Sequence, residues 1–284
     1  MNKSDVVNPY AVSCVENYFL AWCKESDIPV WMLFGTSFLP IQKVLDDFSR
    51  PDILFESYIG LPRVQEYSEK LGLTGHDYSE EITGLKKGGF DLLLMKVGKA
   101  FFEGYKRTPW RDDHYIAIKS LGADELLYLS SYPLEVGTLK TEEVLKVFGG
   151  SVLKYELKLK LETEVFNNDI DKQLETIIHT DYKAVNNCPD LKALRDAVMT
   201  LKISRARTSL WLKSLRHRFI YDAQFDILLA RQKELYDKLF LKIGVAIVRN
   251  RLSCDFSGEL SEIAALEYEI SRGVKLRRLR NEQV

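Results

Sequence analysis

Apolar positions along the chain follow two periods, with strand-like runs concentrated between Phe90 and Val165 and helical spacing through almost everything after Asn168. Near the start, Val15, Tyr18, Phe19 and Trp22 fall at i, i+3, i+4 and i+7, which predicts an amphipathic helix from Ser13 to Lys24. Ser13-Cys14-Val15-Glu16 matches the S-x-x-E capping box, so Ser13 is the expected N-cap and Cys14 the first helical residue. Ile28 to Phe34 reads as a short strand, and Arg63 to Leu71 as a short helix stopped by Gly72. After Gly88-Gly89, Phe90 to Val97 is apolar enough for a central strand.

The clearest hairpin joins His114–Ser120 to Glu125–Ser131 through a turn containing Gly122. With Gly122 and Ala123 as the two loop residues, His114 would lie opposite Ser131. A helix from Thr141 to Phe148 follows. Tyr155, Leu157, Leu159 and Leu161 then alternate with Glu156, Lys158, Lys160 and Glu162, predicting a strand with one wet face. Beyond Asp169 the pattern predicts helices at about 169–184, 189–215, 220–249 and 258–272, a bundle or lid. The expected architecture is α+β, an antiparallel-sheet domain over 1–167 followed by a mostly helical domain over 168–284, with no internal repeat.

Composition narrows the chemistry. The 284 residues are 46% hydrophobic and 29% charged, enough to bury a sizeable core. Forty basic against 41 acidic side chains give a net charge of -1, which argues against nucleic acid as a partner. Residues 1–90 carry 13 acidic and 8 basic side chains, so their balance is -5 and the remainder is +4. The polar start, Met1-Asn2-Lys3-Ser4-Asp5, leads into no apolar leader segment, and no run approaches the roughly 18 apolar residues of a spanning helix. A cytoplasmic protein with no membrane partner is expected. Cys14, Cys23, Cys188 and Cys254 are widely spaced and suggest neither a zinc site nor a disulfide framework.

A helix N-terminus stabilises a thiolate through its unpaired N–H groups and dipole, and the same groups can hold an oxyanion. Cys14 has that location, and His114, opening a strand 100 residues downstream, is the plausible base. Cys first on a helix and His first on a hairpin is the papain-type chain order. Cys23, Cys188 and Cys254 read as structural thiols. His76 in a turn, His179 late in a helix and His217 in an Arg-rich segment are explained by solvent exposure or a helix terminus.

The residues also carry a family likeness. Ser13-Cys14-Val-Glu-Asn17, Leu33-Phe34-Gly35, Glu69-Lys-Leu-Gly-Leu73, Gly88-Gly89, Gly104-Tyr105-Lys-Arg-Thr-Pro109, His114-Tyr-Ile-Ala-Ile and Leu129-Ser-Ser-Tyr-Pro133 occur in an order that resembles the butirosin biosynthesis protein H-like family. The resemblance covers about residues 8–150 and, more loosely, the helical remainder. It implies a papain-like N-terminal domain and a helical C-terminal domain. The named member of that family moves an acyl group from an acyl carrier protein to an amine of an aminoglycoside. By resemblance Cys14 is acylated and His114 is its base, while Asn17, Phe34, Gly35, Tyr105, Trp110 and Tyr115 line the substrate path. Two positions depart from the pattern: Ser13 stands where the family often has His, and Ser-Ser-Tyr-Pro replaces an Asp-Pro after the second hairpin strand. The third triad member is therefore open among Ser131, by register, Asp112, Asp113 and none.

Asp190 to Arg218 holds eight Lys/Arg and two acidic residues, a local charge of +6. Lys202, Arg205 and Arg207 are the expected docking residues for an acidic carrier protein or its phosphopantetheine arm. The functional expectation is a thiol-dependent acyltransferase of secondary metabolism. It would use no metal and no resident cofactor, take a phosphopantetheine-linked donor from an acyl or peptidyl carrier protein, and pass the acyl group to a small-molecule amine. A hydrolase with the same Cys–His pair, cleaving a thioester or peptide, and an inert relative that only binds a carrier protein or peptide are the alternatives. Homodimerisation is left open.

Overall fold

The structure is a computed structural model; it describes residues 13–26, 33–34, 37–53, 55–58, 61–70, 75–86, 91–103, 114–131, 134–156, 163–215, 222–251 and 254–281. The chain is mixed α+β and divides into two compact units, Met1–Val30 with Ile59–Glu162, and Trp31–Tyr58 with Thr163–Val284.

The first unit is built on an antiparallel sheet of β1 (Gly75–Ser79), β2 (Leu92–Val97), β3 (His114–Leu121), β4 (Glu125–Ser131), β5 (Leu134–Lys140) and β6 (Phe148–Glu156), in spatial order β1-β6-β2-β3-β4-β5. Strands β2 to β5 form a meander, and β6 returns to pair with β2 and β1. Leu93, Met95, Val97, Ile116, Ile118, Leu126, Tyr128 and Val152 share a core with Phe101, Phe102 and the short helix α4 (Thr141–Val147) on one face. The other face meets α1 (Cys14–Glu25), whose Phe19 ring lies 5.4 Å edge-on to Tyr155. α3 (Leu61–Lys70) adds Tyr67, stacked 6.4 Å from Phe19.

α1 is more deeply set than an amphipathic stripe implies. Every residue from Val15 to Cys23 is buried, Glu16 and Asn17 included. The capping box explains how Glu16 tolerates this: Ser13 N–H donates to Glu16 Oε2 at 2.9 Å and Glu16 N–H donates to Ser13 Oγ at 3.3 Å.

The hairpin forms with a different register. Gly122 N–H donates to Glu125 O at 2.8 Å, so Ala123-Asp124 is the loop, one residue later than expected. An irregularity between Ile118 and Ser120 takes back part of that shift, leaving Ile118 opposite Tyr128 and Ala117 opposite Leu129. The net one-residue change moves Ser131 to the face of Tyr115 and Ala117, and Ser130 to the face of His114.

Other elements differ from the sequence reading. Leu33-Phe34, expected to end a strand, make a helical turn, and the rest of Ile28–Phe34 lies outside the described residues. Of the wet-faced strand expected over 155–162, Tyr155 and Glu156 end β6, a strand paired on both edges and buried from Ser151 to Tyr155. Residues 157–162 lie outside the described set. Strands β1 and β5 were not anticipated.

The second unit contains α5 (Thr163–His179), α6 (Leu191–Ser214), α7 (Ala223–Val248) and α8 (Ser257–Asn281), each within a few residues of its expected span except for α5, which both starts and ends earlier, and the longer end of α8. It also takes α2 (Ile41–Asp47), whose Ile41, Val44 and Leu45 pack with Leu194, Val198, Leu201, Tyr236 and Leu260. The units divide after Glu162, against the expected cut near residue 167, and the helical unit is discontinuous in sequence. None of the helices among the described residues is long and apolar enough to cross a membrane.

Candidate active site

Cys14 begins α1 as expected, behind Ser13 with extended backbone (φ −70°, ψ 167°). Its thiol is placed to interact with the backbone of Tyr115 and with its own and Val15's backbone at the helix start. Three backbone groups therefore favour the thiolate, yet desolvation outweighs them, and the Glu16 charge adds to it. The thiol is pushed up to about 11. Against the expectation of a helix-lowered thiol, desolvation at the half-buried Cys14 acts more strongly than the helix start and pushes the thiol up.

His114 opens β3, 4% exposed, one residue from the amide that the thiol reaches. Its ring lies on the opposite sheet face from Tyr115, with centroids 5.3 Å from Phe102 and 6.5 Å from Phe101. Nε2 is 3.3 Å from Ser130 Oγ. Burial lowers the imidazole to about 4. The structure thus brings Cys14 and His114 to adjacent residues of one strand, approached from its two faces. No thiol–imidazole hydrogen bond joins them among the described residues.

Ser131, expected across from His114, is displaced from that role by the register. It is buried, and its N–H donates to the Tyr18 hydroxyl at 2.6 Å. Tyr18 and Ser130 are the functional candidates that sequence reasoning missed. The periodicity makes Tyr18 a core position, and its i+4 offset puts it on the same side of α1 as Cys14. Ser130 needed only the correct register.

Of the expected substrate-path residues, Asn17 sits one turn along α1 from Cys14, 1% exposed, with Oδ1 lacking a hydrogen-bond partner among the described residues. Tyr115 is buried, its hydroxyl 2.9 Å from Ser151 Oγ. Phe34 is buried in the second unit. Gly35, Tyr105 and Trp110, with the alternative acids Asp112 and Asp113, lie outside the described residues.

The docking residues are corrected. Arg205 and Arg207 are 5% and 2% exposed, so neither can offer a docking charge. Arg205 donates from Nε and Nη2 to the two carboxylate oxygens of Glu267 at 2.5 and 2.8 Å, and from Nη1 to Leu39 O. Lys202 is paired with Asp237 at 2.7 Å and lies over the Phe240 ring. A run of positive charge along a helix signals a surface only if its carboxylate partners are not 62 residues away in sequence.

Of the other cysteines, Cys23 is fully buried and Cys188 and Cys254 half-buried, all with free thiols. His179 is exposed in the last turn of α5, 2.9 Å from Glu175. His217 lies outside the described residues, and no group of His, Cys, Asp or Glu among the described residues could hold a metal. No protein-family model matches the chain, and no curated protein matches it.

Proposed function

We propose that the first unit is a papain-like domain and the protein a thiol-dependent acyltransferase. In this reading Cys14 takes an acyl or aminoacyl group from a carrier-protein thioester and passes it to an amine. The observation that carries the reading is the placement of a single thiol at the start of a buried helix, against the strand that begins with a buried histidine. The backbone N–H groups of that helix start are suited to the oxyanion of a tetrahedral intermediate.

The neutral state of the pair shapes the mechanism. Burial pushes the thiol up to about 11 and the imidazole down to about 4, which works against a resting thiolate–imidazolium ion pair. Proton removal then accompanies attack, as general-base catalysis. A hydroxyl beside the imidazole fits this, because Ser130 can fix the ring's tautomer but gives little support to a cation.

The same neutrality favours a second reading, an inert relative that binds a carrier protein or peptide without turning it over. A hydrolase differs from the transferase only in admitting water to the acyl-enzyme. Incubation with an acyl-pantetheine thioester, following released thiol with and without a panel of primary amines, separates the three. Amine-dependent amide formation lost in Cys14→Ala is expected; thiol release without amide would mark the hydrolase, and neither would mark the binder.

A further inference from the structure

We propose that the exposed end of α7 is a docking face for an acidic amphipathic helix of a partner protein. The face belongs to the helical unit and does not depend on the reading of Cys14.

The core stripe of α7 runs through Phe225, Leu229, Tyr236, Leu239, Ile243 and Ala246. Leu241, Gly244, Val245 and Val248 stand at i, i+3, i+4 and i+7 on the other side of the helix, where Leu241, Val245 and Val248 are 66%, 48% and 83% exposed. A lone exposed leucine is ordinary, but a contiguous apolar patch marks a contact surface. Gly244 sits within the patch. Glycine weakens a helix interior, and the usual compensation is a close neighbour that a Cβ would strike, as the Tyr128 ring is at Gly137. A Cβ at Gly244 would meet no described atom within 4 Å. The bare spot therefore serves no packing among the described residues, and it suits the close approach of a second helix. Leu241 and Val245 also line an open groove of about 550 Å³, together with the buried Ala246 and Phe256.

Charge selects the partner. Residues 238–251 hold Lys238, Lys242, Arg249 and Arg251 and no acidic side chain. Lys238 pairs with Glu234 and Lys242 with Glu259. Arg249 and Arg251 are exposed and have no carboxylate partner among the described residues. Asp255, which shares the groove, accepts from Ser257 N–H at 2.8 Å. The helix end fixes the backbone that carries both arginines. Arg249 is the C-cap, and Asn250 takes the left-handed conformation with φ 51°. Asn250 N–H donates to Ile247 O at 2.9 Å and Arg251 N–H to Ala246 O at 3.0 Å, a Schellman ending. A second copy of the chain is a poor occupant. Antiparallel pairing about Gly244 and Val245 would set Lys238 against the other copy's Arg251, and parallel pairing would set each arginine against its counterpart, with no acid along 238–251 to offset either. A helix whose apolar stripe is flanked by carboxylates fits both features, its apolar side chains over Gly244 and its acids on Arg249 and Arg251.

Fluorescence anisotropy tests the face, with the full chain titrated into a labelled helical peptide that carries leucine at i, i+4 and i+7 between rows of glutamate. A twin peptide with lysine for glutamate should bind at least ~10-fold more weakly, and the acidic peptide should lose affinity as salt is raised. Gly244→Leu should weaken the acidic peptide by ~10-fold or more by filling the bare spot. Gly244→Ala should raise the urea midpoint, since no described atom stands in the way of a methyl group. Arg249→Glu with Arg251→Glu should turn the preference toward the lysine peptide. Both arginines are exposed, so a folding defect in Gly244→Leu does not decide the outcome. No binding, equal affinity for the two peptides, or an acidic-peptide affinity unchanged by the arginine pair would overturn the proposal. A concentration-dependent dimer in sedimentation, abolished by Gly244→Leu, would also overturn it by putting a second copy on the face.

Discussion

At the scale of single residues, burial decides the chemistry of the site more than charge does. Among the described residues His114 meets two phenylalanine rings and a serine hydroxyl, and burial lowers its imidazole to about 4. Its ordinary value is 6.5. The unfolded chain therefore binds a proton that the folded chain refuses, and stability falls as pH drops from about 6.5 toward about 4. Urea unfolding across that window should show a loss on the order of 2–3 kcal/mol attributable to this residue, and His114→Gln should flatten it. An unchanged slope in the variant would mean that His114 is solvated. Cys14 and His114 were both legible in the sequence, one from a capping box and the other from the start of a hairpin. Their protonation was not, because desolvation depends on what covers a group, and α1 is covered on sides that its stripe does not reveal.

At the scale of elements, periodicity gave the long helices and most strands, since each buries a face whose spacing is written locally. Failures fall where pairing or packing is remote. β5 was missed because, as an edge strand, it alternates between exposed and half-exposed and carries Gly137 in its middle. The Tyr128 ring covers that glycine, and its hydroxyl donates to Glu135 at 2.8 Å. The one-residue error in the β3–β4 register has the largest consequence, exchanging Ser130 for Ser131 as the partner of His114. In the second unit, Glu267 on α8 binds Arg205 on α6 and Tyr236 on α7, the latter at 2.6 Å. Removing it strands a buried guanidinium, so Glu267→Ala should cost about 3–5 kcal/mol in denaturant unfolding. Arg205→Met with Glu267→Leu should recover most of that loss. Near-neutral Glu267→Ala would place the pair in water instead.

At the scale of the whole molecule, one chain makes two cores, and a short early segment belongs to the later one. Residues 31–58 supply Ile41, Val44, Leu45 and Phe48 to a core otherwise drawn from α6, α7 and α8, which no division at a single point in the sequence reproduces. The sheet unit holds Cys14, Tyr18, His114, Ser130 and Ser131 together, so the proposed chemistry is contained in one unit. In the other unit, Arg205 and Lys202 pair with Glu267 and Asp237. The central claim is that Cys14 becomes acylated. Intact-mass and peptide-level mass analysis after incubation with an acyl-phosphopantetheine thioester tests it most directly. The account expects one acyl group per chain, on the peptide containing Cys14, absent in Cys14→Ala and slowed in His114→Ala; an unmodified chain, or an adduct that persists in Cys14→Ala, would contradict it.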